Sequence, residues 1–161
     1  MTRLWDKGTP LDARVLEYTA GDDHLLDNRL VSYDIRASIA HAEMLGEQGL
    51  LSQPDLVALR EALTAIGEEH AQGRWRISLD QEDCQTAIEN LITARIGAIG
   101  GRLHAGRSRN DQVLAALRLY MRDAVETLRQ GAVAVAEALE ALAAREGGQI
   151  IPGYTLSLIH I

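Results

Sequence analysis

At 161 residues, 47% hydrophobic and 24% charged, the chain is long enough for one ordinary globular domain and too apolar for a disordered tail. A net charge of −7 argues against a general nucleic-acid or anionic-membrane partner, because no basic face is available to neutralise phosphates. Cys84 is the only cysteine, which excludes an internal disulfide and a thiolate metal cluster and suits a reduced cytosol.

With 4% aromatic residues and no Phe, the core must be aliphatic, as helix bundles often are. The start, Met1 to Lys7, has no apolar signal region, and no window approaches the length of a membrane span, so a cytoplasmic protein is expected. Residues 1–20 carry Gly8, Pro10 and scattered apolar groups without a period and read as an irregular arm. Tyr18 to His24 reads as a polar turn. Apolar residues at Leu30, Ile35, Ile39, Ala42 and Leu45 predict a helix ending near Gly46 or Gly49. Ser52-Gln53-Pro54-Asp55 combines a cap residue, an early proline and a first-turn acid, so a second helix starts there. Its stripe is Leu56, Leu59, Leu63 and Ile66, and Gly73 stops it. Arg74 to Leu79 is a short strand or an extended linker.

Asp80-Gln81-Glu82-Asp83 crowds acids at the front of another helix, where the dipole favours them. That helix buries Ile88, Leu91, Ile92 and Ile96 and ends at Gly97, Gly100 and Gly101. Cys84 reads as a small packed side chain. His24, His41 and His104 lack metal-ligand spacing and read as surface or supporting residues. The last helix is unusually long: Leu114, Leu117, Met121, Val125, Leu128, Ala132, Val135, Leu139 and Leu142 recur every three or four residues. From Asp111 to about Arg145 this spans roughly 50 Å, with Gly131 costing about 1 kcal/mol. Such a stripe needs long partner helices. Sheet-forming patterns are nearly absent, and the fold class is all-α.

The chemistry-bearing stretch is Gly106-Arg107-Ser108-Arg109-Asn110-Asp111-Gln112-Val113. Ser108, Asn110 and Asp111 are preferred N-cap types, so one of them opens the long helix. Two guanidiniums then sit beside unpaired backbone N–H groups at a positive helix end, an arrangement suited to a carboxylate or phosphate. The alternative is a solvated cap whose arginines pair with neighbouring acids.

This string closely resembles the signature of argininosuccinate lyase in the fumarase/aspartase superfamily. Four further segments resemble the family in the same order: Leu4-Trp5, Asp34 to Ala42, Glu82 to Glu89, and Ile151-Pro152-Gly153-Tyr154-Thr155. The resemblance implies a helical N-terminal lyase domain over 1–108 leading into the first long helix of a central helical bundle, 109–155. In the family, four subunits pool such helices into a homotetramer. The implied reaction is β-elimination of argininosuccinate to arginine and fumarate in arginine biosynthesis, with no metal and no organic cofactor. By the same resemblance Asn110 contacts substrate, Ser108 and Arg109 shape a carboxylate-binding corner, and Thr155 serves the site of another subunit. Arg107, Asp83, Gln85 and His104 stand behind them.

The chain departs from the family pattern at several places. Gln85 stands where the family usually has His, and can hydrogen-bond without carrying a proton. Gly21 lies near a position where some members use a substrate-contacting Ser. Leu156 follows Thr155 where the family has His, and the serine base lies on a Gly-Ser-Ser loop that this chain does not contain. Residues 156–161 have no resemblance to the family and read as a non-native tail. Ser157 and His160 have no orienting acid there. The 161-residue chain is therefore expected to lack lyase activity and to associate through 111–145. Alternative readings are a lyase acting on adenylosuccinate and a non-catalytic helical assembly or structural protein on the same scaffold.

Overall fold

A computed structural model of the chain describes residues 12–150, 154–155 and 158–159. Seven helices account for most of this, as the aliphatic periodicity predicts, and two compact units divide it, one up to Met121 and one from Arg122 onward. Among the described residues no helix is long and apolar enough to cross a membrane.

In the first unit, the segment read as an irregular arm folds from Ala13 to Ala20 as helix α1. The Asp12 side chain accepts the Arg14 N–H at 2.8 Å, and only Ala20 is buried. A local cap makes this helix, not an apolar period, and for that reason the period did not reveal it. Residues 1–11 of that reading lie outside the described residues. A short helix α2 (Asp23–Leu26) and one 3-10 turn (Asp27–Arg29) lead into α3 (Val31–Glu47). The polar stretch at 18–24 is thus mostly helical, with its turn confined to Gly21 and Asp22.

The frame is built by α3, α4 (Gln53–Ala71) and α5 (Cys84–Ile96). Ser52 caps α4 by accepting the Asp55 N–H at 3.3 Å, with Pro54 in the first turn. Leu59, Leu63 and Ile66 are fully buried, each contributing about 1.5–3 kcal/mol against the unfolded chain. They meet Val31, Ile35 and Leu45 of α3 and Ile88 and Ile92 of α5 in one core cluster. Gly73, at φ +72°, ends the α4 region in the left-handed turn that favours glycine.

The segment after it is an extended linker, not a strand. It is pinned where the Trp75 indole N–H donates to the Ile66 carbonyl at 2.9 Å, which lets Ile77 be buried. Cys84 is buried, and burial pushes its thiol well above the usual range, so it is a packed side chain.

After Gly97 a short helix α6 (Ala98–Gly101) folds back against α5. A Cβ on Gly100 would lie 2.7 Å from Ile92 Cγ2 and 3.3 Å from the Thr93 backbone nitrogen. Gly100→Ala is therefore expected to cost about 1–3 kcal/mol by overpacking, read as a lower urea midpoint. An unchanged midpoint would mean that α6 does not pack as described.

Helix α7 runs without a break from Arg109 to Glu146, 38 residues and about 57 Å. Gly131 lies inside it. The predicted apolar stripe is present, and Leu114, Leu117, Met121, Val125, Leu128, Val135, Leu139 and Leu142 are each 37–72% exposed. The second unit ends in a hairpin of two-residue strands, β1 (Tyr154–Thr155) antiparallel to β2 (Leu158–Ile159). The other positions of the tail lie outside the described residues.

Candidate functional site

The start of α7 is locked by a reciprocal cap. Ser108 donates its N–H and its hydroxyl to Asp111 Oδ2 at 3.0 and 2.9 Å, and the Asp111 N–H donates to Ser108 Oγ at 3.2 Å. This is the capping-box arrangement with Asp in place of Glu. It holds the exposed Asp111 carboxyl below its usual range, chiefly through the Ser108 N–H. The helix end consequently presents fewer unpaired N–H groups than the sequence implied. The Ser108 hydroxyl is occupied by the cap, and Asn110 stands exposed within the same first turn.

Arg109 follows the neighbouring-acid alternative. Its Nη2 donates to Asp83 Oδ1 and to Thr86 Oγ1, each at 2.5 Å, and its Nη1 lies 3.9 Å from Glu89 Oε2. Asp83 is at the same time the N-cap of α5, accepting the Thr86 N–H at 2.7 Å. One carboxylate thus starts α5 and ties the front of α7 to it. Glu82, just before it, is the one non-glycine residue with positive φ among the described residues (φ 66°, ψ −57°). With the Asp83 N–H donating to the Gln81 carbonyl at 2.8 Å, this is the rare, strained γ-turn. Glu82 is therefore not a first-turn acid of α5, and the strain is concentrated next to the residue that holds Arg109.

Behind the loop lies a buried carboxylate. Asp34 is fully buried on α3 and accepts from Ser38 Oγ at 3.1 Å, from Gln112 Nε2 at 3.0 Å and from Gln85 Nε2 at 3.2 Å. Gln85 thus has a structural task that a neutral amide fulfils. Three helices, α3, α5 and α7, converge on this one side chain. The same polar core approaches Arg107, whose Nη1 and Nη2 each stand 3.5 Å from Ser38 Oγ.

The structure gives His41 a definite supporting task. Its Nε2 lies 3.0 Å from the Ala105 carbonyl, which requires the ring to donate there and fastens the glycine-flanked loop to α3. Burial, then Arg107, lowers its pKa. His104 Nε2 lies 3.7 Å from Glu89 Oε2. Burial, reinforced by Arg107 and Arg109, outweighs Glu89 and lowers the His104 pKa.

Arg107, Arg109, His104, Glu89, Gly101 and Gln112 line a cavity of about 330 Å³. The structure therefore brings together Asp83, Gln85, His104, Arg107, Ser108 and Arg109, with Asn110 exposed beside them. Thr155 belongs to β1 of the second unit, opposite Leu158. Asp34, Ser38, Thr86, Glu89 and Gln112 join the site only through the packing of the helices. Asp34 and Ser38 carried a signal, being polar residues on the stripe of Val31, Ile35, Ala42 and Leu45. Among the described residues no group of three or more His, Cys, Asp and Glu side chains is arranged to hold a metal ion.

A family model described as lyase matches residues 10–157. The chain is 49% identical over 153 residues to the argininosuccinate lyase of Sorangium cellulosum, covering 95% of this chain and 36% of that protein. It is 39% identical over 153 residues to that of Thermotoga neapolitana (95% and 38%). Against that of Thiobacillus denitrificans it is 44% identical over 146 residues (91% and 31%). The chain spans about a third of the length of the curated relatives it matches. A match over nearly its whole length, on a helical frame that ends in one very long exposed-stripe helix, makes this chain a member of the lyase family.

Proposed function

We propose that the complete protein carrying this chain is an argininosuccinate lyase that splits argininosuccinate into arginine and fumarate. The observation that carries the reading is the run of argininosuccinate lyases 39–49% identical over some nine-tenths of this chain. The chemistry suits the loop. A base takes the proton from the carbon beside a carboxylate, negative charge builds on that carboxylate, and the C–N bond to arginine then breaks as the fumarate double bond forms. Cations and fixed N–H donors lower the barrier to the charged intermediate. Asn110 is the direct substrate contact, Ser108 and Arg109 form the corner around it, and Thr155 acts in the site of another subunit. The protein works in the cytoplasm as a homotetramer.

The test is fumarate release, followed by its absorbance, from argininosuccinate and from adenylosuccinate. Release from argininosuccinate alone is expected for the complete protein, and none from the 161-residue chain. Preference for adenylosuccinate, or no release from either, would overturn the assignment.

Assembly rests on the α7 stripe, whose exposed leucines and valines are the surface a monomer would leave in water. In sedimentation the chain is expected to associate, and Leu128→Glu with Leu139→Glu is expected to leave it monomeric. A wild-type monomer at high concentration would count against the tetramer.

A further inference from the structure

The chain reverses between His104 and Arg107, just before the capped start of α7. Ala105 has φ −58° and ψ 125°, Gly106 has φ 67°, and the Arg107 N–H donates to the His104 carbonyl at 3.2 Å. These angles define a type II β-turn, which requires positive φ at its third residue and favours glycine there. A Cβ on Gly106 would meet no atom within 4 Å, so backbone conformation, not space, calls for the glycine. Types I and II differ mainly by a rotation of roughly 180° in the central peptide plane, here the Ala105 carbonyl and the Gly106 N–H. Type I is the commoner form and accepts most residues, so an Ala-Gly pair does not by itself hold type II.

A contact from elsewhere in the chain selects the orientation. The Ala105 carbonyl accepts the His41 ring N–H at 3.0 Å, across 64 residues. The turn's own backbone bonds run only to Arg102 and within the turn. His41 sits on α3 between core positions, with Ala42 beside it and Leu45 one turn on, both buried. The donor is thus fixed by the core and not by the loop. A flipped peptide plane would turn the Gly106 N–H in that direction and deprive His41 of its acceptor.

We propose that His41 is a positioning residue: its ring N–H holds the Ala105–Gly106 peptide plane in the type II orientation and thereby aims the backbone from Arg107 to Asn110. The proposal rests on the reading of that stretch as the substrate-binding loop, and adds a residue outside the loop that sets its geometry. A misplacement of about 1 Å at a reacting site costs up to roughly a hundredfold in rate.

The experiment pairs crystal structures with fumarate-release kinetics, both on the complete protein. His41→Phe keeps a ring of similar breadth and removes the donor. Its structure is expected to show the Ala105 carbonyl turned away and Gly106 at negative φ. Its kcat/KM is expected to fall about tenfold, with the fold retained by circular dichroism. His41→Gln, whose amide nitrogen reaches about as far as the ring Nε2, is expected to restore the turn and most of the rate. Gly106→Ala is expected to lose rate as His41→Phe does. Gly106→Asn, bulkier but tolerant of positive φ, is expected to lose less.

A His41→Phe structure that keeps the type II turn, or a flipped turn with unchanged kcat/KM, would overturn the proposal. So would a wild-type crystal structure with the Ala105 carbonyl away from His41. That structure decides the contact should His41→Phe fail to fold, and His41→Asn, too short to reach, then carries the kinetic arm. Equal losses for Gly106→Ala and Gly106→Asn would overturn the dependence on backbone conformation. The lyase reading fails separately: no fumarate from the complete wild-type protein rejects the activity, while the structures still decide whether His41 holds the turn.

Discussion

Asp34→Ala is expected to lower the folding stability of this chain by about 3–5 kcal/mol, the cost of removing one partner from a buried charged network. The substitution leaves the Gln85 and Gln112 amides and the Ser38 hydroxyl buried without their acceptor, each an unmet donor worth about 1–3 kcal/mol. It also withdraws the acid that acts most strongly on the Arg107 guanidinium. A domain of this size has only about 5–15 kcal/mol to lose. Urea unfolding followed by circular dichroism measures the effect. Asp34→Asn is the informative companion. It keeps one acceptor oxygen, and the Gln85 amide can turn to present its own oxygen, so its cost is expected to be well below that of alanine. If alanine costs less than about 1 kcal/mol, or asparagine as much as alanine, the convergence of three helices on this carboxylate is not what holds them.

The second large effect is on rate, not on folding. Asn110→Ala in the complete protein is expected to lower kcat roughly 10²- to 10³-fold, the usual consequence of removing one donor to a developing oxyanion. Stability and subunit association should persist, for a local reason. Asn110 is exposed, alanine is the best helix former, and the Ser108–Asp111 cap on either side is untouched. A contact made only in the transition state lowers kcat and kcat/KM together, whereas one that merely binds substrate raises KM. A near-normal kcat, or a protein that falls apart, would refute the role given to Asn110.

These two residues illustrate how unevenly the site was legible. Asn110 sits in an eight-residue string whose glycine, arginines and capping residues announce a loop entering a helix, and its place at the front of α7 follows from local rules alone. Asp34 was visible only as an acid on an otherwise apolar stripe. Its partners are 4, 51 and 78 residues away, and nothing in the sequence says that Ser38, Gln85 and Gln112 share it. His41 is the same kind of case, since its partner carbonyl is 64 residues distant. The choice between an anion site and an acid-paired cap could not be made from the loop either. Arg109 pairs with the acid that caps α5, while Arg107 lies against Ser38 of α3.

What the sequence determined by itself was therefore periodic and local: the all-α class, the start of α4 at Ser52, the buried faces of α3, α4 and α5, and the length of α7. Helix periods and caps are set by residues three or four apart, so they survive without knowledge of the rest of the chain. Only the tertiary structure decided which charges are spent and which remain available. Partners of a buried acid or guanidinium are chosen by how helices distant in sequence pack, and burial then fixes what an unpaired polar group costs.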